Sequence, residues 1–309
     1  MKKVVILIPA YNVENYISKT LDSFLKQDCD FFDILIVNDG STDNTKEVIL
    51  SYKNKFDEKG INLTVIDKEN GGAASAINVG LKQKLNYEYI LIMDGDDWLP
   101  YNSISKRVDF LDNNKDYGAC IGWTNLVDEE TGIITSKHYS LGITEDKEET
   151  FLNILNVVDI IYTGYLFRLK ELKSVLKNNQ IFESHGGQNW QLLLPFSKAY
   201  KIKVMPFDTL NYLVRKQSHS HSVIGDYEKI KNRLTVHKQL IEETFDRMNQ
   251  REKYQEILDN RYNRLFANNA FSFRQKKDFM KYYKNLKKSK RNTFKDFLKK
   301  WYLRILVRG

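Results

Sequence analysis

The chain has 309 residues, a net charge of +8 and two cysteines, Cys29 and Cys120. This length exceeds the usual single domain and predicts two units, and so few cysteines exclude a disulfide framework and suit a reducing cytosol. No run of about 18 apolar residues occurs, and Met1-Lys2-Lys3 leads straight into a strand interrupted at Pro9. Neither a transmembrane helix nor a signal peptide is therefore expected.

Four apolar runs in the N-terminal third each end in a polar, turn-forming segment. Val4–Ile8 leads into Pro9-Ala10-Tyr11-Asn12, and Ile34–Val37 into Asn38-Asp39-Gly40-Ser41. Leu63–Ile66 leads into Asp67 through Gly72, and Tyr89–Met93 into Asp94-Gly95-Asp96-Asp97-Trp98. Short apolar runs bounded by such residues read as buried strands. Between them, Tyr16, Ile17, Leu21, Phe24 and Leu25 follow helical spacing, as do Val48, Ile49 and Tyr52, with Asp43 or Ser41 as a cap. Alternating strand and helix predicts a parallel, doubly wound α/β sheet, which brings all four polar segments to one crevice. Asp94, Asp96 and Asp97 then crowd the end of one strand. Carboxylates this close repel unless a cation or donor hydrogen bonds hold them, and a hard divalent ion shared with a diphosphate suits them. Asp and Gly equally suit a plain acidic turn.

These segments, with Asn70-Gly71-Gly72, Asn78 and Gly80, resemble in order and spacing the nucleotide-sugar-binding motifs of family 2 glycosyltransferases of bacterial surface-polysaccharide type. The resemblance covers about residues 1–220. It implies a GT-A fold, a Rossmann-like nucleotide-binding sheet flanked by helices. It also implies inversion by a single displacement. Pro9 and Tyr11 would line the base and ribose, and Asp39 would accept from the uracil imide N–H. Asn70, Gly71 and Gly72 would bring backbone close to the nucleotide, Asp94 would reach ribose or sugar, and Asp96 would bind Mn²⁺ or Mg²⁺. Asp97 faces away and holds the loop.

Two positions depart from the family pattern. The Asp that serves relatives as base is Asn189 here, in Gly187-Gln188-Asn189-Trp190, and an amide does not accept a proton at neutral pH. Glu183 and His185 are the nearest titratable substitutes. Ile77 stands where many relatives have Arg and, with Leu81 and Leu85, reads as core. Later, strand-like Leu210–Val214 precedes Arg215-Lys216-Gln217-Ser218-His219-Ser220-His221. Some relatives close the donor site with a late loop whose His completes the metal shell; the resemblance implies that part for His219 or His221, with Arg215 facing the diphosphate.

Residues 226–275 read as helical, with Leu234, His237, Leu240 and Ile241 on one side. Residues 276–309 carry thirteen Lys and Arg against Asp278 and Asp296, a net of +11, leaving −3 for the rest. Phe294, Phe297, Leu298, Trp301 and Ile305 fall on one helical face among these lysines. A basic amphipathic helix of this kind suits an anionic membrane surface, or packing on the protein itself or a second copy; nothing in it matches a nucleic-acid-binding motif. The expected organisation is a GT-A domain over 1–225, with a nucleotide-sugar half to about 115 and an acceptor half from 116. A helical extension over 226–309 follows. The expected activity is transfer from a UDP-sugar to a glycan or lipid-linked hydroxyl in cell-surface polysaccharide synthesis, at the inner face of the membrane. A UDP-sugar-binding subunit without chemistry and a nucleotidyltransferase are the rival readings.

Overall fold

The computed structural model describes residues 2–156, 163–184, 186–215 and 225–286. In chain order the elements are β1 (Val4–Ala10), α1 (Ile17–Leu25), β2 (Phe32–Asn38), α2 (Thr45–Ser51), α3 (Lys53–Asp57), β3 (Leu63–Asp67), α4 (Ala73–Lys82) and β4 (Tyr89–Ile92). There follow α5 (Ser103–Asn113), β5 (Tyr117–Asp128), β6 (Ile134–His138), α6 (Lys147–Asn156), β7 (Leu166–Arg168), α7 (Leu169–Val175), α8 (Gln188–Ala199) and β8 (Lys201–Val214). Three helices end the described chain: α9 (Tyr227–Arg247), α10 (Arg251–Ser272) and α11 (Lys276–Asn285). The chain divides into two compact units, Met1–Lys216 and Gln217–Gly309.

The first unit is an α/β sheet in the order β3-β2-β1-β4-β7-β5-β6, with β8 paired to β5. Strands β1 to β4 are mutually parallel, whereas β7 runs antiparallel to β4 and β5. From β1 the chain winds outward to β2 and β3, then returns to place β4 on the opposite side of β1. The sheet reverses direction there, and the crevice beyond the carboxyl ends of β1 and β4 is where open α/β sheets bind ligands. Strands β1, β2 and β4 are buried along their whole length, as a parallel sheet covered by helices on both faces requires. Val4, Ile6, Ile8, Ile34, Ile36, Leu91 and Met93 pack with Ile17, Leu21 and Phe24 of α1 in one buried cluster. Each such side chain contributes about 1.5–3 kcal/mol on burial. Helix α4 lies tight against β1: a Cβ at Gly80 would stand 2.2 Å from Leu7 Cδ1. That contact fixes the height of the α4 amino terminus above the sheet.

The boundaries differ from the expected ones in two places. Pro9 lies within β1, buried and opposite Val37, rather than opening the following loop. Pairing of β1 with β4 stops at Leu7, so a residue lacking N–H is tolerated there. The helical stretch from 226 is broken at Met248–Gln250, where Asn249 adopts a left-handed φ of 54°. Ile77 and Leu81 are core, both 1% exposed, as their spacing predicts. In the second unit His237 Nδ1 lies 2.5 Å from the Tyr262 hydroxyl, and Ala267, Ala270 and Phe279 join α10 to α11.

Candidate active site

Four strand-end segments line the crevice, and side-chain bonds tie them to each other. After β1, Tyr11 is 44% exposed, and Asn12, at φ 49°, accepts from Thr42 N–H (2.8 Å) and donates its own N–H to Ser41 Oγ (3.1 Å). Asp43 accepts from Thr45 N–H (3.0 Å) and from Glu14 N–H (3.1 Å), satisfying the start of α2 and joining it to the β1 loop.

At the end of β2, Asp39 is 2% exposed and gathers the loop after β3 around its carboxylate. Oδ1 accepts from Lys68 Nζ (2.6 Å) and Gly71 N–H (3.0 Å), and Oδ2 from Gly72 N–H (2.7 Å). Two backbone donors and one ammonium hold the charge, so burial is tolerated. Of four acceptor positions on a carboxylate, one on Oδ2 is left. Gly40, at φ 71°, lets the Asn70 backbone approach: a Cβ there would lie 2.7 Å from Asn70 N. Asn70 is exposed, and Gly71 and Gly72 are partly exposed at the start of α4.

The carboxylates follow β4. Asp94 and Asp96 are partly exposed, whereas Asp97 is wholly buried. Burial, with the neighbouring Asp96 charge, pushes Asp94 up to about 7 against the opposing pull of Arg215. Burial also raises Asp96, with Arg215 again opposing, and it raises Asp97 well above the usual carboxylate range, assisted by Asp96 and Asp94. Asp97 Oδ1 accepts from Leu213 N–H (3.1 Å), tying the loop to β8, and its main-chain carbonyl lies 2.7 Å from Thr20 Oγ1. Asp96 Oδ2 meets Arg215 Nη2 at 2.8 Å. The Arg215 guanidinium lies 5.0 Å above the Tyr16 ring, and the Tyr16 hydroxyl donates to Glu129 Oε1 (2.5 Å).

The far wall is the stretch before α8, which has no regular secondary structure. Asn78 of α4 accepts from Ile181 N–H (2.9 Å) and donates to Ile181 O (2.9 Å) and Glu183 Oε1 (3.4 Å). Gln191 of α8 accepts from Phe182 N–H (2.6 Å) and donates to Phe182 O (2.8 Å). Two buried amides thus stand in for neighbouring strands and hold exposed Glu183 at the rim. Asn189 borders a small cavity with Ile92, Thr163 and Gly164. Buried Arg107 fixes that corner by donating to Gly164 O (2.6 Å) and Ser103 O (2.7 Å). Asn78 falls within the motif set of the sequence, whereas neither Gln191 nor Arg107 is marked by any local spacing.

Tyr11, Asp39, Asn70, Gly71, Asp94 and Asp96 therefore gather at the carboxyl-end edge of the sheet, where the crevice lies, and Glu183 is joined to Asn78 of α4. Pro9 underlies the crevice, buried, with no open face to offer. His185, His219 and His221 lie outside the described residues. No group of three or more His, Cys, Asp and Glu that would hold a metal occurs among the described residues. Asp94 and Asp96 nevertheless fit an ion shared with a diphosphate, which needs only one or two protein carboxylates. Their raised proton affinity comes first from burial, which disfavours the charged form, and a bound cation would oppose it.

Sheet order, switch point and acidic strand end describe a Rossmann-like α/β domain whose ligand crevice lies at the strand ends. The family model described as "Glycosyl transferase family 2" matches residues 5–176, and the chain belongs to that family. It is 27% identical over 214 residues to the glycosyltransferase GlyA of Streptococcus pneumoniae, covering 69% of this chain and 26% of that one. An uncharacterized glycosyltransferase of Mycoplasma genitalium is 40% identical over 190 residues, covering 60% and 61%. The poly-beta-1,6-N-acetyl-D-glucosamine synthase of Staphylococcus epidermidis is 29% identical over 204 residues, covering 65% and 47%. The chain thus spans between about a quarter and three fifths of the length of these relatives. Among solved structures, S. aureus TarS in complex with UDP superposes with a TM-score of 0.56 at 19% identity, covering 99% of this chain and 91% of that one. The mannosyltransferase PcManGT from Pyrobaculum calidifontis, in complex with GDP-Man and Mn²⁺, gives 0.55 at 17% identity, covering 84% and 71%. These likenesses establish the fold.

Proposed function

We propose that the protein transfers a sugar from a UDP-sugar to a hydroxyl of a glycan or lipid-linked acceptor in cell-surface polysaccharide synthesis, with inversion. The observation that carries this reading is the pair Asp94 and Asp96 following β4 at the switch point, with Arg215 paired to Asp96. Asp39 uses its remaining acceptor position for the uracil imide, and Tyr11 covers the base. Asp94 orients ribose or sugar. Asp96, with His219 or His221, would hold Mn²⁺ or Mg²⁺, and a bound ion of this kind stabilises charge on the departing UDP. Glu183 or His185 takes the proton from the acceptor hydroxyl as it attacks. The TarS–UDP and PcManGT–Mn²⁺ complexes support nucleotide sugar and divalent ion as the chemical classes. Among the described residues no helix is long and apolar enough to cross a membrane. The basic stretch 276–309 supports attachment to an anionic inner surface instead.

The first turn of α8 contains no acidic residue, which favours one second reading: a subunit that binds UDP-sugar without chemistry. The test is UDP release from a panel of UDP-sugars with Mn²⁺ or Mg²⁺, with and without membrane lipid extract. Ion-dependent release from one donor is expected, and Asp96→Ala should lower it at least about a hundredfold, roughly 2.7 kcal/mol. Pyrophosphate release from a nucleoside triphosphate would mark a nucleotidyltransferase. Donor binding with no release under any condition would favour the binding subunit.

A further inference from the structure

Among the described residues, the cation paired with the acidic strand end is a guanidinium of the protein itself. Arg215 directly follows β8, and its Nη2 meets Asp96 Oδ2 at 2.8 Å in a half-buried position. The guanidinium is seated over the Tyr16 ring, whose hydroxyl is anchored on Glu129, so residues following β4, β5 and β8 and preceding α1 converge on one charged group. We propose that Arg215 is the resident counterion of Asp96, and that donor and divalent ion displace it together. Asp96 passes from guanidinium to ion, while the guanidinium passes from Asp96 to the diphosphate. This rests on the role proposed above for Asp96.

The charges argue for joint entry. An ion arriving alone must break the Asp96–Arg215 pair and leave a guanidinium half-buried with its carboxylate taken, beside a new divalent charge. A diphosphate arriving with the ion supplies anionic oxygens at the moment the guanidinium loses its partner. The planar fork of Arg matches phosphate oxygens in a way that a Lys ammonium does not. Nucleotide and ion are therefore coupled through Arg215, and by linkage each tightens the other by the same factor.

The test is Mn²⁺ binding to the full chain by titration calorimetry, without and with UDP, in wild type, Arg215→Gln, Arg215→Lys and Asp96→Asn, each first shown to fold by thermal melting. Without UDP, Arg215→Gln should bind Mn²⁺ about tenfold more tightly than wild type. At saturating Mn²⁺ it should bind UDP about tenfold more weakly, and Arg215→Lys should fall between the two. Unchanged Mn²⁺ affinity in Arg215→Gln overturns the counterion role, and unchanged UDP affinity overturns the transfer to the diphosphate. If Asp96→Asn leaves Mn²⁺–UDP binding at the wild-type level, the assignment of the ion to Asp96 has failed instead.

Discussion

Asp97 shows how one residue of an acidic cluster can be structural while its neighbours face the crevice. It is 0% exposed, with one oxygen on Leu213 N–H and the other, Oδ2, without a hydrogen-bond partner among the described residues. Burial beside Asp94 and Asp96 raises its proton affinity, and an amide of the same shape keeps the acceptor for Leu213 N–H, so it should replace the carboxyl at little cost. Asp97→Asn is expected to melt within a few degrees of wild type. Asp97→Ala strands the Leu213 N–H and should cost about 1–3 kcal/mol by denaturant titration. His237 gives a second residue-scale expectation. Burial, with the charges of Arg261 and Arg233, pushes it down to about 4, and it pairs neutral with the Tyr262 hydroxyl. Its folded value lies below its unfolded one of 6.5, so its contribution is complete above 6.5 and lost as pH falls toward 4. Because the ring is partly solvated, the loss should be about 1–2 kcal/mol, less than the full shift implies. Denaturant titrations between pH 7 and 4.5 should show this slope, and His237→Gln should flatten it.

Elements were legible in the sequence where the information is local. The alternation of apolar runs and helical spacing gives β1 to β4 with α1, α2 and α4, because both faces of a parallel sheet need covering. Tyr11, Asp39, Asp94 and Asp96 follow strand ends, so their place at the sheet edge was legible with the strands. What local pattern cannot carry is long-range satisfaction of backbone groups. Asn78 and Ile181 are 103 positions apart, yet two hydrogen bonds join them. Pro9 was misplaced for the same reason: whether a strand tolerates it depends on where the β4 ladder stops. Asn78→Ala leaves a buried N–H and C=O of Ile181 unpaired, and should destabilise the first unit by about 2–4 kcal/mol in urea titrations. Gln191→Ala should act likewise on Phe182. Since Glu183 is held through the same segment, transfer activity should fall further than stability alone requires.

At the scale of the whole molecule, charge and chemistry are segregated. The proposed donor site lies in the unit Met1–Lys216, whereas the basic excess lies in residues 276–309. A tail attracted mainly by charge is screened within about 8 Å at physiological ionic strength. Sedimentation of the protein with anionic vesicles should therefore weaken steeply between about 0.05 and 0.5 M salt, and removal of residues 287–309 should abolish it. UDP binding should be indifferent to the truncation. Retention at high salt would instead mark the apolar stripe of Phe294, Phe297 and Trp301 as the dominant contact. The fold of the first unit was readable from the sequence because its motifs are contiguous; the surface that receives the tail was not, since an amphipathic stripe suits lipid and protein alike.

The amide pair Asn78 and Gln191 also bears on time. Ile181 and Phe182 belong to no helix or strand, and an irregular stretch beside a ligand crevice ordinarily exchanges its amide hydrogens with solvent quickly. Here both N–H groups are tied to side-chain carbonyls, and those side chains are themselves buried in α4 and α8. Opening them requires two helices to loosen, so their deuterium uptake should be as slow as that of the central strands. The regular but exposed edge strand Ile134–His138 should label much sooner. Regularity and protection should thus part company in this protein, with the irregular stretch of Ile181 and Phe182 labelling slowly and a hydrogen-bonded strand quickly.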